Sequence, residues 1–183
     1  LLDEWDDISG PIRGMESIGD EYLFASMDGI LRWDTNNSTF LTPWTPGSGM
    51  PANVDDEVYS MLTVGDDLWI GTYQGGSADV SMWNSTQDQW SVYSANSLGS
   101  FAYPADLNLC DGIVHVAFGQ VAWWSPGFVA RYDYEDHDGN SVTDEWIDSW
   151  DNSDLSDSDP RAVACDEAHP MAYVAFDTDN VGI

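Results

Sequence analysis

Three observations predict an all-β fold made of repeated four-stranded antiparallel sheets. Short apolar and aromatic runs of strand length recur throughout the chain, with little sign of helical periodicity. They are separated by strong turn chemistry, as in Gly65-Asp66-Asp67, Gln74-Gly75-Gly76-Ser77 and Asn84-Ser85-Thr86-Gln87, where Gly supplies positive φ and Asp or Asn bonds its own backbone. The whole run-and-turn pattern of residues 58–94 then returns, imperfectly, on both sides. Four antiparallel strands in about 45 residues make one propeller blade, so the expected architecture is a β-propeller segment of about three and a half blades.

Blade two, residues 57–104, is the template. Its strands are read at 59–64, 68–73, 80–83 and 89–93, and its exit loop, 95–104, carries Phe101 and Tyr103. Blade one, 12–56, places Ser17-Ile18-Gly19-Asp20-Glu21-Tyr22-Leu23-Phe24 over Thr63-Val64-Gly65-Asp66-Asp67-Leu68-Trp69-Ile70, and its Trp33 over Trp83; its exit, 43–56, is long and rich in Pro and Gly. Residues 1–11 hold Trp5 where other copies hold Trp90 and Trp146, which predicts the outer strand of a preceding blade. Blade three, 105–160, opens at Leu109-Cys110-Asp111-Gly112, has an extended loop at 119–127 and an expanded hairpin at 133–145, and leaves through an Asp/Ser/Asn connector. Blade four, 161–183, begins at Ala162-Val163-Ala164-Cys165-Asp166 and contributes two strands. A partial ring exposes sheet faces and strand edges, so the chain is expected either to belong to a larger protein or to pair with a second copy, as a homodimer that closes the ring.

Leu68-Trp69-Ile70-Gly71-Thr72, followed by Gly75-Gly76 and later by Trp83 and Trp90, resembles the propeller repeat of two-component regulators. The resemblance covers most of the chain as a repeat and blade two as a motif. It implies a sensory or scaffolding propeller of an extracytoplasmic region, and its pattern transfers no catalytic residue.

The composition is that of a folded domain with an extreme charge. Of 183 residues 43% are hydrophobic and 13% aromatic, enough for a core. Against 33 Asp and Glu stand four arginines (Arg13, Arg32, Arg131 and Arg161) and no lysine, for a net charge of −29. Nucleic acid is therefore excluded as a natural partner, because phosphate binding depends on Lys and Arg displacing counterions. Concentrated salt screens such a surface, and a marine or hypersaline extracellular or cell-surface setting is expected. No apolar stretch approaches the length of a membrane span, so no membrane insertion is expected, and Leu1-Leu2-Asp3-Glu4-Trp5 is not a signal peptide but reads as the start of a mature or excised piece.

Three local features are candidates for function. In the hairpin 136–145, Asp136, Asp138, Asn140 and Asp144 sit on the matching positions of the calcium loops of thrombospondin-type acidic repeats, which the stretch resembles, and Glu145 offers a further carboxylate. Oxygen ligands at alternate positions around a Gly are what Ca²⁺ needs; the competing reading is an ordinary acidic hairpin. Trp123 and Trp124 fall outside the repeat pattern on a loop expected to share a face with Tyr73, Phe101 and Tyr103, where they either stack on a carbohydrate ring, anchor a protein ligand or pack as a lid. Cys110 and Cys165 occupy equivalent places in consecutive blades, so they form a disulfide if the inner strands converge, and are otherwise two buried small side chains.

Signs of catalysis are mostly negative. The lack of lysine excludes a Schiff base, a P-loop and a Ser-Lys pair, GxSxG is absent, and His115, His137 and His169 lie beside no nucleophile motif. Asn36, Asn37 and Asn84 begin glycosylation sequons on turns. A non-catalytic extracellular binding or scaffold module is the expected function. The alternatives are a carbohydrate-active hydrolase or lyase using carboxylates and the sensing region of a signalling receptor.

Overall fold

The computed structural model describes residues 10–74, 76–94, 102–121, 127–133, 145–150, 159–166 and 171–177. Among them every regular element is a strand. The first sheet is β1 (Gly14–Ile18), β2 (Glu21–Ser26), β3 (Gly29–Asp34) and β4 (Thr39–Phe40), in that order. After a small parallel clip of β5 (Thr45–Pro46) and β6 (Gly49–Met50), the second sheet is β7 (Val58–Val64), β8 (Asp67–Gln74), β9 (Ser77–Asn84) and β10 (Gln89–Ser94). The third is β11 (Ala102–Cys110), β12 (Ile113–Gln120), β13 (Phe128–Asp133) and β14 (Glu145–Trp150), and β15 (Pro160–Asp166) pairs with β16 (Met171–Phe176) in a two-stranded fourth. Each sheet is an antiparallel meander of the propeller-blade type. Residues 1–9, read as an outer strand, lie outside the described residues.

The sheets stack because the central strands are apolar on both faces. In β8, Leu68 and Ile70 face the first sheet and join a core with Leu23, Ala25, Ile30, Val58 and Met61. Trp69, on the opposite face, joins Val80, Val114, Val116, Phe118 and Tyr132 against the third sheet. One-residue alternation thus feeds two cores, the pattern of a sheet covered on both sides. The first strands β1, β7, β11 and β15 run side by side.

Side chains replace a backbone ladder between these inner strands. Ser60 Oγ donates to the Pro104 carbonyl at 2.7 Å, Asp106 Oδ2 accepts from Val163 N at 2.9 Å, and Asn108 Nδ2 donates to the Val163 carbonyl at 3.3 Å. Gly71 makes the approach of the third sheet feasible. A Cβ there would lie 2.6 Å from both Pro104 Cβ and Ser60 Oγ, so the Gly of the Leu68-Trp69-Ile70-Gly71-Thr72 motif is needed for inter-sheet contact.

One sequence expectation is corrected. Tyr103 is not on an exit loop: β11 begins at Ala102, because a bulge between Pro104 and Asp106 lets the ladder pass a residue with no N–H to donate. The Pro- and Gly-rich exit of the first sheet also adds to that sheet. Trp44 exchanges two backbone bonds of 2.9 Å with Ile30 and continues the short outer edge of that sheet, and its indole is pressed on Gly49, where a Cβ would meet Cδ1 at 2.2 Å.

Candidate functional site

The aromatic residues converge where the inner strands begin. Tyr59 is the second residue of β7, Tyr103 the second of β11, and Tyr73 sits near the end of β8, level with the start of β7. Their ring centroids are 5.0 Å (Tyr59–Tyr103), 6.0 Å (Tyr59–Tyr73) and 6.4 Å (Tyr73–Tyr103) apart. All three residues are half-buried. Gly119 completes the fit, since a Cβ there would lie 2.6 Å from the Tyr103 ring.

Two arginines flank the tyrosines from the neighbouring sheets. The Arg13 guanidinium lies 3.7 Å over the Tyr59 ring and bonds Glu57; that of Arg161 lies 5.4 Å from the Tyr103 centroid and bonds Asp159 at 2.7 Å and Asp177 at 3.3 Å. Cation–π placement and a carboxylate partner together fix each guanidinium plane. Arg13 Nη1 and Arg161 Nε keep no acceptor among the described residues. Burial raises the Tyr59 hydroxyl above its usual range, with Arg13 pulling the other way. Burial raises the pKa of the Asp55 carboxyl, the Gln74 N–H opposes it, and the charges of Asp79, Asp56 and Glu57 add to the rise.

Tyr73 and Tyr103 are thus brought together, and Tyr59, Arg13 and Arg161 join them although the sequence reading had singled out none of the three. The signal was present: in a chain with four cations, Arg13 stands just ahead of the inner strand β1 and Arg161 near the start of the inner strand β15. Phe101, Trp123 and Trp124 lie outside the described residues, as do Asp136, Asp138, Asn140 and Asp144 of the acidic hairpin; Glu145 opens β14, and nothing is described of its side chain. Cys110 and Cys165 are joined by a disulfide between the far ends of β11 and β15, with Cα atoms 5.5 Å apart.

No family model and no curated protein matches the chain. Its fold is similar to two solved structures. One is the extracellular domain of a B. thetaiotaomicron protein assigned provisionally to the one-component systems, at 14% identity over 95% of this chain and a TM-score of 0.54. The other is PorZ, a surface component of the type-IX secretion system of Porphyromonas gingivalis, at 10% identity over 94% of this chain and a TM-score of 0.57. The chain spans about a quarter of each, 27% and 25% respectively, and what it shares with them is the all-β fold.

Proposed function

We propose that the chain is a non-catalytic binding module of an extracellular or cell-surface protein, and that it takes a neutral carbohydrate on the face of Tyr59, Tyr73 and Tyr103. The observation that carries this reading is three half-buried tyrosines from two sheets, their rings within 6.4 Å of one another, framed by two orientation-locked arginines. Rings present flat apolar area to sugar C–H groups, while Arg13, Arg161 and their carboxylate partners supply fixed donors and acceptors to hydroxyls. A net charge of −29 disfavours an anionic ligand. The extracellular assignment is supported by the disulfide and by the described settings of the two similar structures. A second copy of the chain, pairing through the open ends of the sheet stack, is the partner we propose.

The test is a panel of neutral oligosaccharides screened by saturation-transfer NMR, followed by titration of the best binder. Tyr103→Ala is expected to weaken that binder by about tenfold, the size of an aromatic anchor. Absence of saturation transfer across the panel, or an affinity that ignores the substitution, refutes the reading.

A further inference from the structure

At the opposite end of the blades, a pocket of about 250 Å³ opens between the first and second sheets. Its walls are the indoles of Trp44 and Trp83, the Glu21–Arg32 pair, Asp88 and the buried Leu23. Trp83 is level with Leu68, at the β7–β8 turn, so this pocket is separated from the tyrosine face by the length of the strands.

We propose that this pocket binds a small organic cation, of the alkylammonium class, and does so independently of the tyrosine face. The indole walls are preformed: Trp44 and Trp83 stand 5.4 Å apart between centroids, Trp90 packs on Trp44 at 6.1 Å, and Gly49 supports the Trp44 ring from below. Indole faces carry the negative end of the ring quadrupole. Trp44 already accepts a cation in that way, since the Arg32 guanidinium lies 4.5 Å from its centroid.

Charge then selects the ligand. Glu21 takes two hydrogen bonds from Arg32, at 2.8 and 2.7 Å, so that pair is mutually neutralised. Asp88 receives only the Trp83 indole N–H, at 3.3 Å, and its second carboxylate oxygen has no partner among the described residues. A carboxylate at the solvent-exposed mouth of the pocket, bonded to the edge of the Trp83 indole, favours a positive charge carried on an apolar body, which loses little hydration on entry. A 250 Å³ space holds the volume of about eight waters, which suits a compact ligand and not a chain.

Tetramethylammonium is the probe. The chain is so acidic that any cation collects near it, so the titration is run in about 1 M NaCl, where that atmosphere is screened. Uncharged tert-butanol, of similar bulk, and glucose serve as comparisons. The indole N–H resonances of Trp44 and Trp83 are expected to shift along a saturating curve with tetramethylammonium and to move little with either neutral probe. Asp88→Asn keeps an acceptor for Trp83 and suits the backbone, because Asp88 has φ 50° and Asn tolerates the left-handed region. That variant is expected to keep the wild-type spectrum elsewhere and to bind the cation about fivefold more weakly. Equal shifts with tert-butanol would make the pocket merely apolar, a saturating response to glucose alone would make it a sugar site, and an affinity unchanged by Asp88→Asn would show that the carboxylate does not select the ligand. Each of these outcomes overturns the proposal, and none bears on the tyrosine face.

Discussion

Asp106 shows how single side chains hold neighbouring sheets together in this molecule. It is a half-buried carboxylate on β11 that accepts from Val163 N across to β15, and burial raises its pKa above the ordinary 3.8, with the Val163 and Leu107 N–H groups opposing. A carboxyl with a raised folded-state pKa binds more protons folded than unfolded, so its contribution to stability falls as pH rises from the ordinary value through the folded one. Asp106→Asn keeps an acceptor for Val163 and removes the charge. The stability of this variant relative to wild type should therefore improve as pH goes from about 3.5 to about 7, read from denaturant midpoints. A difference that stays flat over that range would show that the burial of the charge costs nothing. This latch was not legible beforehand, because in a chain with 33 acidic residues nothing in the sequence marks which carboxylate faces another blade. Gly71 was legible as a motif residue, yet its reason, the approach of Pro104, needs the coordinates.

The central strands were readable because they are bounded by turn residues and filled with apolar side chains on both faces. The expected strands of 59–64 and 68–73 are observed as Val58–Val64 and Asp67–Gln74. Trp44 lies in a Pro- and Gly-rich stretch whose sequence signals a loop, yet its two backbone bonds to Ile30 extend a sheet whose own fourth strand is β4, two residues long. The tyrosine site was half legible for a related reason: Tyr73 and Tyr103 read as loop neighbours, but the pairing of Arg13 and Arg161 with rings on adjacent sheets depends on how blades stack. The β15–β16 pair is a two-stranded sheet in which Met171 and Tyr173 are half exposed. The Cys110–Cys165 bridge closes a separation of 55 residues, which in the chain-entropy account is worth about 4 kcal/mol. Reduction should therefore lower amide protection in β15 and β16 first and leave β1 and β2 protected, as measured by hydrogen exchange with and without dithiothreitol. Uniform loss of protection would mean that the four sheets open as one unit.

At the scale of the molecule, two apolar faces and one large charge oppose each other. The register of the first sheet puts Met15, Tyr22, Leu31, Trp33 and Phe40 on the face turned away from the second sheet, and Met15 is 62% exposed. Trp33 stands there in the register place that Trp83 holds one blade later, and the exposed Met15 and Tyr22 are the apolar area this face offers a second copy. At the other end, Met171, Tyr173, Ala164 and Ala175 form a second exposed face. Burying such faces on a second copy is favourable at about 25 cal/mol per Å² of apolar area, whereas bringing together two chains of charge −29 is not. Salt decides between these terms, because the screening length falls from about 10 Å at 0.1 M to about 3 Å at 1 M while apolar burial is undiminished. Sedimentation velocity should accordingly find monomer in about 0.1 M NaCl and dimer in about 1 M. Substituting Met15 and Tyr173 by Ser should abolish the dimer without changing the monomer's melting behaviour. A chain that stays monomeric in both salts would rule out the second copy, and a dimer that survives the double substitution would place the contact away from the open ends of the stack.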